Sequence, residues 1–534
     1  MSPRCRLNPA RSLRRLAPSV RPRVVNARDV LFAPRCPWTV VLLYLIAAGL
    51  SSARAELVYF EKGGRAQVAA TVDGKSVRIE GPDGVVAFDA SDFTRVVPGY
   101  WPEREWPDRL RSALAGDAST RFAAFRWALD EGLTDEAVAL ALRAHHDDPQ
   151  HAGFARVASV LERLAKPLGD PDLKPLEALL GSSAHIARGS HVVLIHQHDD
   201  ADATARVRVL EQVVTTFYAR FAALGIELRA PEHRLASVWF ATQKSYLDCL
   251  KLQHGDAFLT TRGYYLPALD AVLAFDTRGT KSYRESAAIL EERERETAGL
   301  SAAIARMPAH ARLQLTFPDA PPRALRKTEA RAVLSKFERD VARQKLLLDL
   351  DRLSLDLAIA AHEQVHQLIA HAGLVITHAS FPIWLHEGLA MQYEHVRGGR
   401  WGGVSHPHER RLAAWRALDP QPALPPLLRD VGFGRGYRQG PYASAWALVY
   451  DIERNRPNDF LTFLDLLRAP GSVDQARVRD ARVSNAFRGA FGDDLIAFQE
   501  GWRKRTRELK TPLEMHDPRP TGQRRLGQPA DNRD

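Results

Sequence analysis

Residues 355–394 read LDLAIAAHEQVHQLIAHAGLVITHASFPIWLHEGLAMQYE, and His362-Glu363-Gln364-Val365-His366 lies inside them. Histidines at i and i+4 stand about 40° apart on a helix, so both imidazoles can reach one metal ion. Glu363 projects near the same face, where it can hold a water beside that metal. The flanks predict a helix over Leu355–Ala372: there is no Pro or Gly, Ala and Leu abound, and Gly373 follows as a natural stop. The remaining positions are mostly apolar, so the helix is expected to be buried on several sides. Two histidines and a carboxylate there are costly unless something satisfies them, and a metal would.

Twenty residues separate His366 from Glu387, which sits in Ile383-Trp384-Leu385-His386-Glu387-Gly388-Leu389-Ala390. This predicts a second apolar helix, starting near Pro382 and carrying one carboxylate in its first turns. Two histidines, one glutamate and a water make the ligand count of a catalytic zinc site.

H-E-x-x-H followed at this distance by W-L-x-E-G-x-A resembles the gluzincin metallopeptidases, and more closely the peptidase-MA-like domains of secreted bacterial proteins. The resemblance covers about Ala361 to Tyr450. It implies an α+β fold with a zincin-like domain, Zn2+ held by His362, His366 and Glu387, and Glu363 as general base. Tyr442, at the start of a helix opening near Gly440-Pro441, matches the tyrosine that related gluzincins use opposite the metal; a core aromatic at a helix start is the other reading. No G-x-M-E-N stretch is present, so aminopeptidase specificity does not carry over. Met391 stands four residues after Glu387, where thermolysin-like enzymes have an Asp.

Other ligands are weighed by geometry. His371 is nine residues after His362, about 180° round the helix, and faces away. A metzincin needs Gly three residues after the second histidine, where this chain has Ile369. Glu394 shares a face with Glu387 and is either a supporting residue or a rival third ligand, with Glu387 preferred. His378, His386 and His395 read as ordinary surface or supporting histidines.

Outward from this core, residues 1–55 read as a secretory signal peptide. Residues 1–37 hold nine Arg and one acid, Trp38–Leu50 is apolar but too short to span a bilayer comfortably, and Ala53-Arg54-Ala55 matches a small-x-small cleavage site. The leader carries nearly all of the chain's formal charge of +10. The mature protein is then close to neutral, with no nucleic-acid partner implied and no stable membrane span after cleavage. Cys5 and Cys36 fall in the leader, so Cys249 alone remains, as a small buried residue.

Residues 56–98 alternate apolar and polar around Asp73-Gly74 and Gly81-Pro82-Asp83-Gly84, predicting a small antiparallel β module. Residues 103–180 turn helical, with Thr134 as a helix cap and one tetratricopeptide-like hairpin over Phe125–Val157. The prolines at 167, 171 and 175 mark a linker. The metallopeptidase domain is expected over 188–510, with strands at 191–196, 235–240 and 271–276 around a helix from Ala203 to Leu224. Residues 271–276 are assigned the edge strand open to substrate, and Gly263-Tyr264-Tyr265 reads either as lining of the cleft or, preferred, as packing aromatics. Residues 283–350 suggest a charged helical hairpin leading into the metal helix, Gly398–Gly403 a mobile rim of the cleft, and 511–534 a disordered tail.

These readings converge on a secreted or periplasmic zinc metallohydrolase acting on a peptide or protein substrate. A zinc-containing envelope protein that binds without catalysis is the alternative, and a helical scaffold with an accidental H-E-x-x-H the third reading. N-terminal sequencing of the exported protein is expected to start at Glu56; any start far from it removes the signal-peptide reading.

Overall fold

The computed structural model describes residues 54–254, 261–317, 320–374, 381–404, 406–433, 439–468 and 476–516. The expected signal peptide, except Arg54 and Ala55, His378, and the tail from Asp517 lie outside them. The fold is α+β. No helix among the described residues is long and apolar enough to cross a membrane.

Five antiparallel strands make the first sheet: β1 (Arg54–Phe60), β2 (Arg65–Asp73), β3 (Ser76–Gly81), β4 (Gly84–Asp89) and β5 (Phe93–Pro98), in the order β4-β3-β2-β1-β5. Alternation puts Val58, Phe60, Val68, Ala70, Val77, Ile79 and Phe88 on one buried face. That face closes on Leu346 of a helix from Lys327 to His371.

The second sheet comprises β6 (His185–Arg188), β7 (Val192–His196), β8 (Leu235–Phe240), β9 (Gly263–Leu266) and β10 (Ala271–Phe275), in the order β6-β7-β8-β10-β9. β7, β8 and β10 run parallel, and β6 and β9 pair antiparallel at the two ends. Both faces are covered, which is why these strands read as unbroken apolar runs. Val192, Leu194, Leu235, Trp239 and Ala274 face the helix Asp200–Leu224 and the end of the long helix; Val193, Ile195, Val238 and Leu273 face the helix Gln243–His254.

Several expectations change. The metal helix starts at Lys327, not Leu355, and is 45 residues long, roughly 68 Å. Nothing between Lys327 and Ala372 breaks a helix; composition shifts near 350 because the helix passes from the edge of the β module into the core. It ends as expected, with Gly373 at φ +67. The helix Lys281–Arg306 does precede it, but the return runs through a two-stranded ribbon, β11 (Arg312–Phe317) with β12 (Ala320–Arg326). β10 is interior, and the edge strand is β9: a sheet's order depends on pairing between distant segments, which local alternation does not report. Thr134 is the first helical residue rather than the cap, and its hydroxyl meets that of Thr216 at 3.1 Å. Phe125–Val157 spans parts of three helices, Ala118–Asp130, Thr134–Asp147 and Ala152–Leu164. Residues 512–516, assigned to the tail, form a helix whose Glu514 pairs with Arg416.

The glycine-rich stretch is a tight hairpin between β13 (Val396–Arg397) and β14 (Arg400–Trp401), with Gly398 and Gly399 at φ +57 and +74. It packs against the N-terminal helices: the Val404 N–H donates to the Asp130 carbonyl at 2.7 Å, and Arg397 donates to the Glu131 carbonyl at 3.1 Å. One hydrophobic core therefore runs from Phe125 and Leu140 through Val365 and Leu385 to Trp446 and Trp502.

His191, beside β7, faces two acceptors, Glu211 at 2.6 Å from Nδ1 and the Leu164 carbonyl at 2.9 Å from Nε2. Both ring nitrogens must donate, so the ring is an imidazolium. Burial alone would lower its pKa, but the Glu211 hydrogen bond and charge outweigh burial and raise it. A raised folded pKa stabilises below the unfolded value of about 6.5, and that stability is lost as pH rises through the folded value. His191→Gln is expected to lower unfolding free energy by about 1.5–3 kcal/mol at pH 6. The gap between the two proteins' melting temperatures should close as pH rises; a pH-independent gap would show that His191 is held neutral.

Candidate metal centre

Two helices bring the site together. The long helix carries His362 and Glu363 on one turn and His366 on the next, and the helix Ile383–Gln392 carries Glu387. The second is set by its neighbours. The Asp430 carboxylate accepts the Trp384 N–H at 2.9 Å, satisfying a free donor of its first turn. Gly388 lies against the helix Gln439–Asn455: a Cβ there would come within 2.4 Å of Val449 Cγ2 and 2.8 Å of the Ala445 carbonyl. Only glycine allows that approach, and it brings Glu387 over the histidines.

The expected ligands converge. His362 Nε2 and His366 Nε2 are 3.0 Å apart; Glu387 stands 3.3 Å from the first through Oε2 and 3.8 Å from the second through Oε1. Among the described residues these three form the one group with ligand atoms all within 4.8 Å. Zinc bonds of about 2.1 Å in a tetrahedron set donors roughly 3.4 Å apart, so the donor set and its spacing both fit zinc. Burial opposes charge on His362, but Glu387 and Glu394 outweigh it and hold its pKa well above the usual value. A metal taking Nε2 would therefore displace a proton.

Glu394 lies behind His362, 2.8 Å from Nδ1, close but out of line for a well-directed ring hydrogen bond. Its own oxygens are gripped by Arg411, with Nε at 3.0 Å and Nη2 at 2.7 Å. Burial would raise the Glu394 pKa; Arg411 and His362 overcome it and hold the carboxylate well below its usual range. The geometry thus makes Glu394 a support for His362, facing the nitrogen that a metal would not use. Arg411 carries no sequence signal that ties it to this site.

Glu363 is 8% exposed, and its Oε2 accepts the backbone N–H of Tyr265 in β9 at 3.1 Å. Burial pushes its pKa up to about 7; the Glu387 charge adds to this, against the opposing pull of His362 and the Tyr265 N–H. The Gly263–Tyr265 stretch, for which packing aromatics was the preferred reading and lining of the cleft the other, touches the centre through its backbone. A glycine opening a strand was the available signal, because it often marks a close approach.

The other histidines separate. The His386 ring lies flat on His366, with centroids 4.3 Å apart and planes at 9°. His371 faces away, as expected, and its Nε2 is 2.7 Å from Asp270. Desolvation and the Arg397 charge lower the pKa of half-buried His395 well below the usual value. Tyr442 is half-buried on the helix Gln439–Asn455, its ring 5.2 Å from Phe433, one turn before the Ala445 that meets Gly388.

One zinc per chain is expected by elemental analysis. Ala at His362 or His366 should abolish it, and Ala at Glu387 should weaken it strongly. Glu394→Ala should cost about 10–100-fold in affinity, as loss of a supporting partner does. Metal lost with Glu394→Ala but kept with Glu387→Ala would reverse the assignment of the two carboxylates.

A search of curated proteins found no match. Residues 356–470 match the family model described as "Protein of unknown function (DUF1570)", a stretch that contains His362, Glu363, His366, Glu387, Glu394 and Tyr442.

Proposed function

We propose that the chain is an exported zinc-dependent peptidase of the gluzincin type, with a zincin-like catalytic domain. The supporting observation is the convergence of His362, His366 and Glu387 beside a buried Glu363. Zinc bound by these three would supply Lewis acidity, polarising the scissile carbonyl and lowering the pKa of water to about 7. Glu363, with a pKa near neutrality, accepts the proton of the attacking water at its carboxylate and passes it to the leaving amine. Glu394 and Arg411 keep His362 oriented, and the Tyr442 hydroxyl donates to the developing oxyanion. β9 ends its sheet beside the site, with its edge N–H at Tyr265 held by Glu363. The basic leader, apolar run and Ala-Arg-Ala sequence support a secreted or periplasmic location.

The deciding experiment is a peptide-library digest by purified protein, with and without chelator. Chelator-sensitive cleavage is expected, and zinc-loaded protein that cleaves nothing would favour a non-catalytic zinc-binding role. Glu363→Gln should keep its zinc and lose turnover. Tyr442→Phe should keep fold and zinc and lose about 10²–10³ in kcat. If Tyr442→Phe stays within a few-fold of wild type while Glu363→Gln is inactive, the tyrosine's role falls and the rest stands.

A further inference from the structure

We infer that β9 fixes the position of the general base, so that Gly263 and Tyr265 are positioning residues for proton transfer; the inference rests on the peptidase reading. Glu363 reaches the site on a side chain with three rotatable bonds, and a base displaced by about 1 Å can lose on the order of 10²-fold in rate. Its orientation therefore has to come from its surroundings. The Tyr265 N–H supplies one restraint, donating to Oε2 at 3.1 Å. That N–H lies on the edge of the sheet, where it is directed at the long helix and not at β10.

Gly263 supplies the second restraint by what it lacks. A Cβ there would come within 2.6 Å of Glu363 Cγ, 2.8 Å of Ile359 Cγ2 and 3.0 Å of Glu363 Oε1. Gly263 is not among the glycines with positive φ, so its backbone would accept an alanine. The requirement for glycine is space, and the space is filled by Glu363 and Ile359.

β9 is itself anchored. It pairs with β10 from Gly263↔Ala274 to Leu266↔Ala271. The Tyr265 hydroxyl donates to Asp270 Oδ1 at 3.0 Å, and the same oxygen is 2.7 Å from His371 Nε2. Tyr265 is therefore tied to the long helix twice, by its backbone at Glu363 and through Asp270 at His371, two turns later. The strand cannot slide along the helix without breaking one of these links. The base is thereby held against a frame fixed relative to its own helix.

The test is Gly263→Ala, compared with wild type and Glu363→Gln. The new methyl group meets Glu363 Cγ and Ile359 Cγ2, so both side chains must shift, and Glu363 is the freer of the two. One zinc per chain, a modestly lowered melting temperature and about a 10²-fold loss in kcat with little change in KM are expected for the folded variant. A crystal structure of Gly263→Ala should show the Glu363 carboxylate off the Tyr265 N–H, a readout independent of activity. A second pair isolates the donor: Tyr265→Pro removes the N–H at an edge position that tolerates proline, and Tyr265→Ala removes the ring but keeps the N–H. The proline variant should turn over about tenfold more slowly than the alanine variant.

Gly263→Ala with wild-type kcat, or with Glu363 still on the Tyr265 N–H, overturns the inference whether or not the Tyr265 variants fold. So does equal turnover by Tyr265→Pro and Tyr265→Ala. Within this panel an inactive Glu363→Gln beside a fully active Gly263→Ala removes only the positioning role. An active Glu363→Gln removes the peptidase mechanism itself.

Discussion

Three carboxylates and two imidazoles share a volume from which water is largely excluded, and the cost of that exclusion governs their surroundings. A buried carboxylate without a partner costs several kcal/mol, so each is either compensated or becomes protonated. Glu394 is compensated most fully, by the two-point grip of Arg411. Glu387 lies against both histidines. Glu363 has the backbone N–H of Tyr265, and burial leaves its pKa at about 7. Compensation is weakest at the group proposed to carry protons, where a pKa near neutrality is useful.

The long helix makes this arrangement possible by acting as a beam. Its first half is held by the β module at Leu346, and its second half lies in the main core at Leu357, Ala361, Val365 and Leu368. Between them Asp356, less than two turns before His362, is locked from several sides. Arg206 donates to it at 2.7 Å, and the Thr277 N–H and hydroxyl at 3.1 and 2.6 Å. Arg206 also bonds Asp276 at 2.7 Å and lies over the Trp239 ring. Removing Arg206 would take the closest cation from buried Asp356, so this cluster sets the axial position of the helix with little tolerance.

What could be read from sequence follows from the range over which each signal acts. The histidine pair was legible because i and i+4 adjacency is local to one helix. The Gly373 stop and the apolar runs of β7 and β8 were legible for the same reason. The start of the long helix was obscured because its two halves have different surroundings and hence different compositions. β9 was missed as the edge because four residues carry too little alternation, and because strand order is set by pairing across the sheet. The Arg411–Glu394 grip depends on a hairpin, β13–β14, that folds seventeen residues back onto themselves. Thr134 has the chemistry of a cap, but Thr216 stood close enough in space to take its hydroxyl.

The shared core has a consequence for what counts as a unit here. The stretch that sequence comparison singles out, 356–470, holds His362, His366 and Glu387, yet groups that steady their surroundings come from elsewhere: Tyr265 for Glu363, Arg206 and Thr277 for Asp356, and Glu131 for the turn that follows Glu394. Cut out alone, that stretch would expose the buried sides of Val365, Leu368 and Leu385 to water and leave Asp356 without its cation. The recognisable module and the autonomously folding module are therefore different objects. The candidate site is concentrated in about a hundred residues, but the packing that keeps it in place is distributed over most of the described chain.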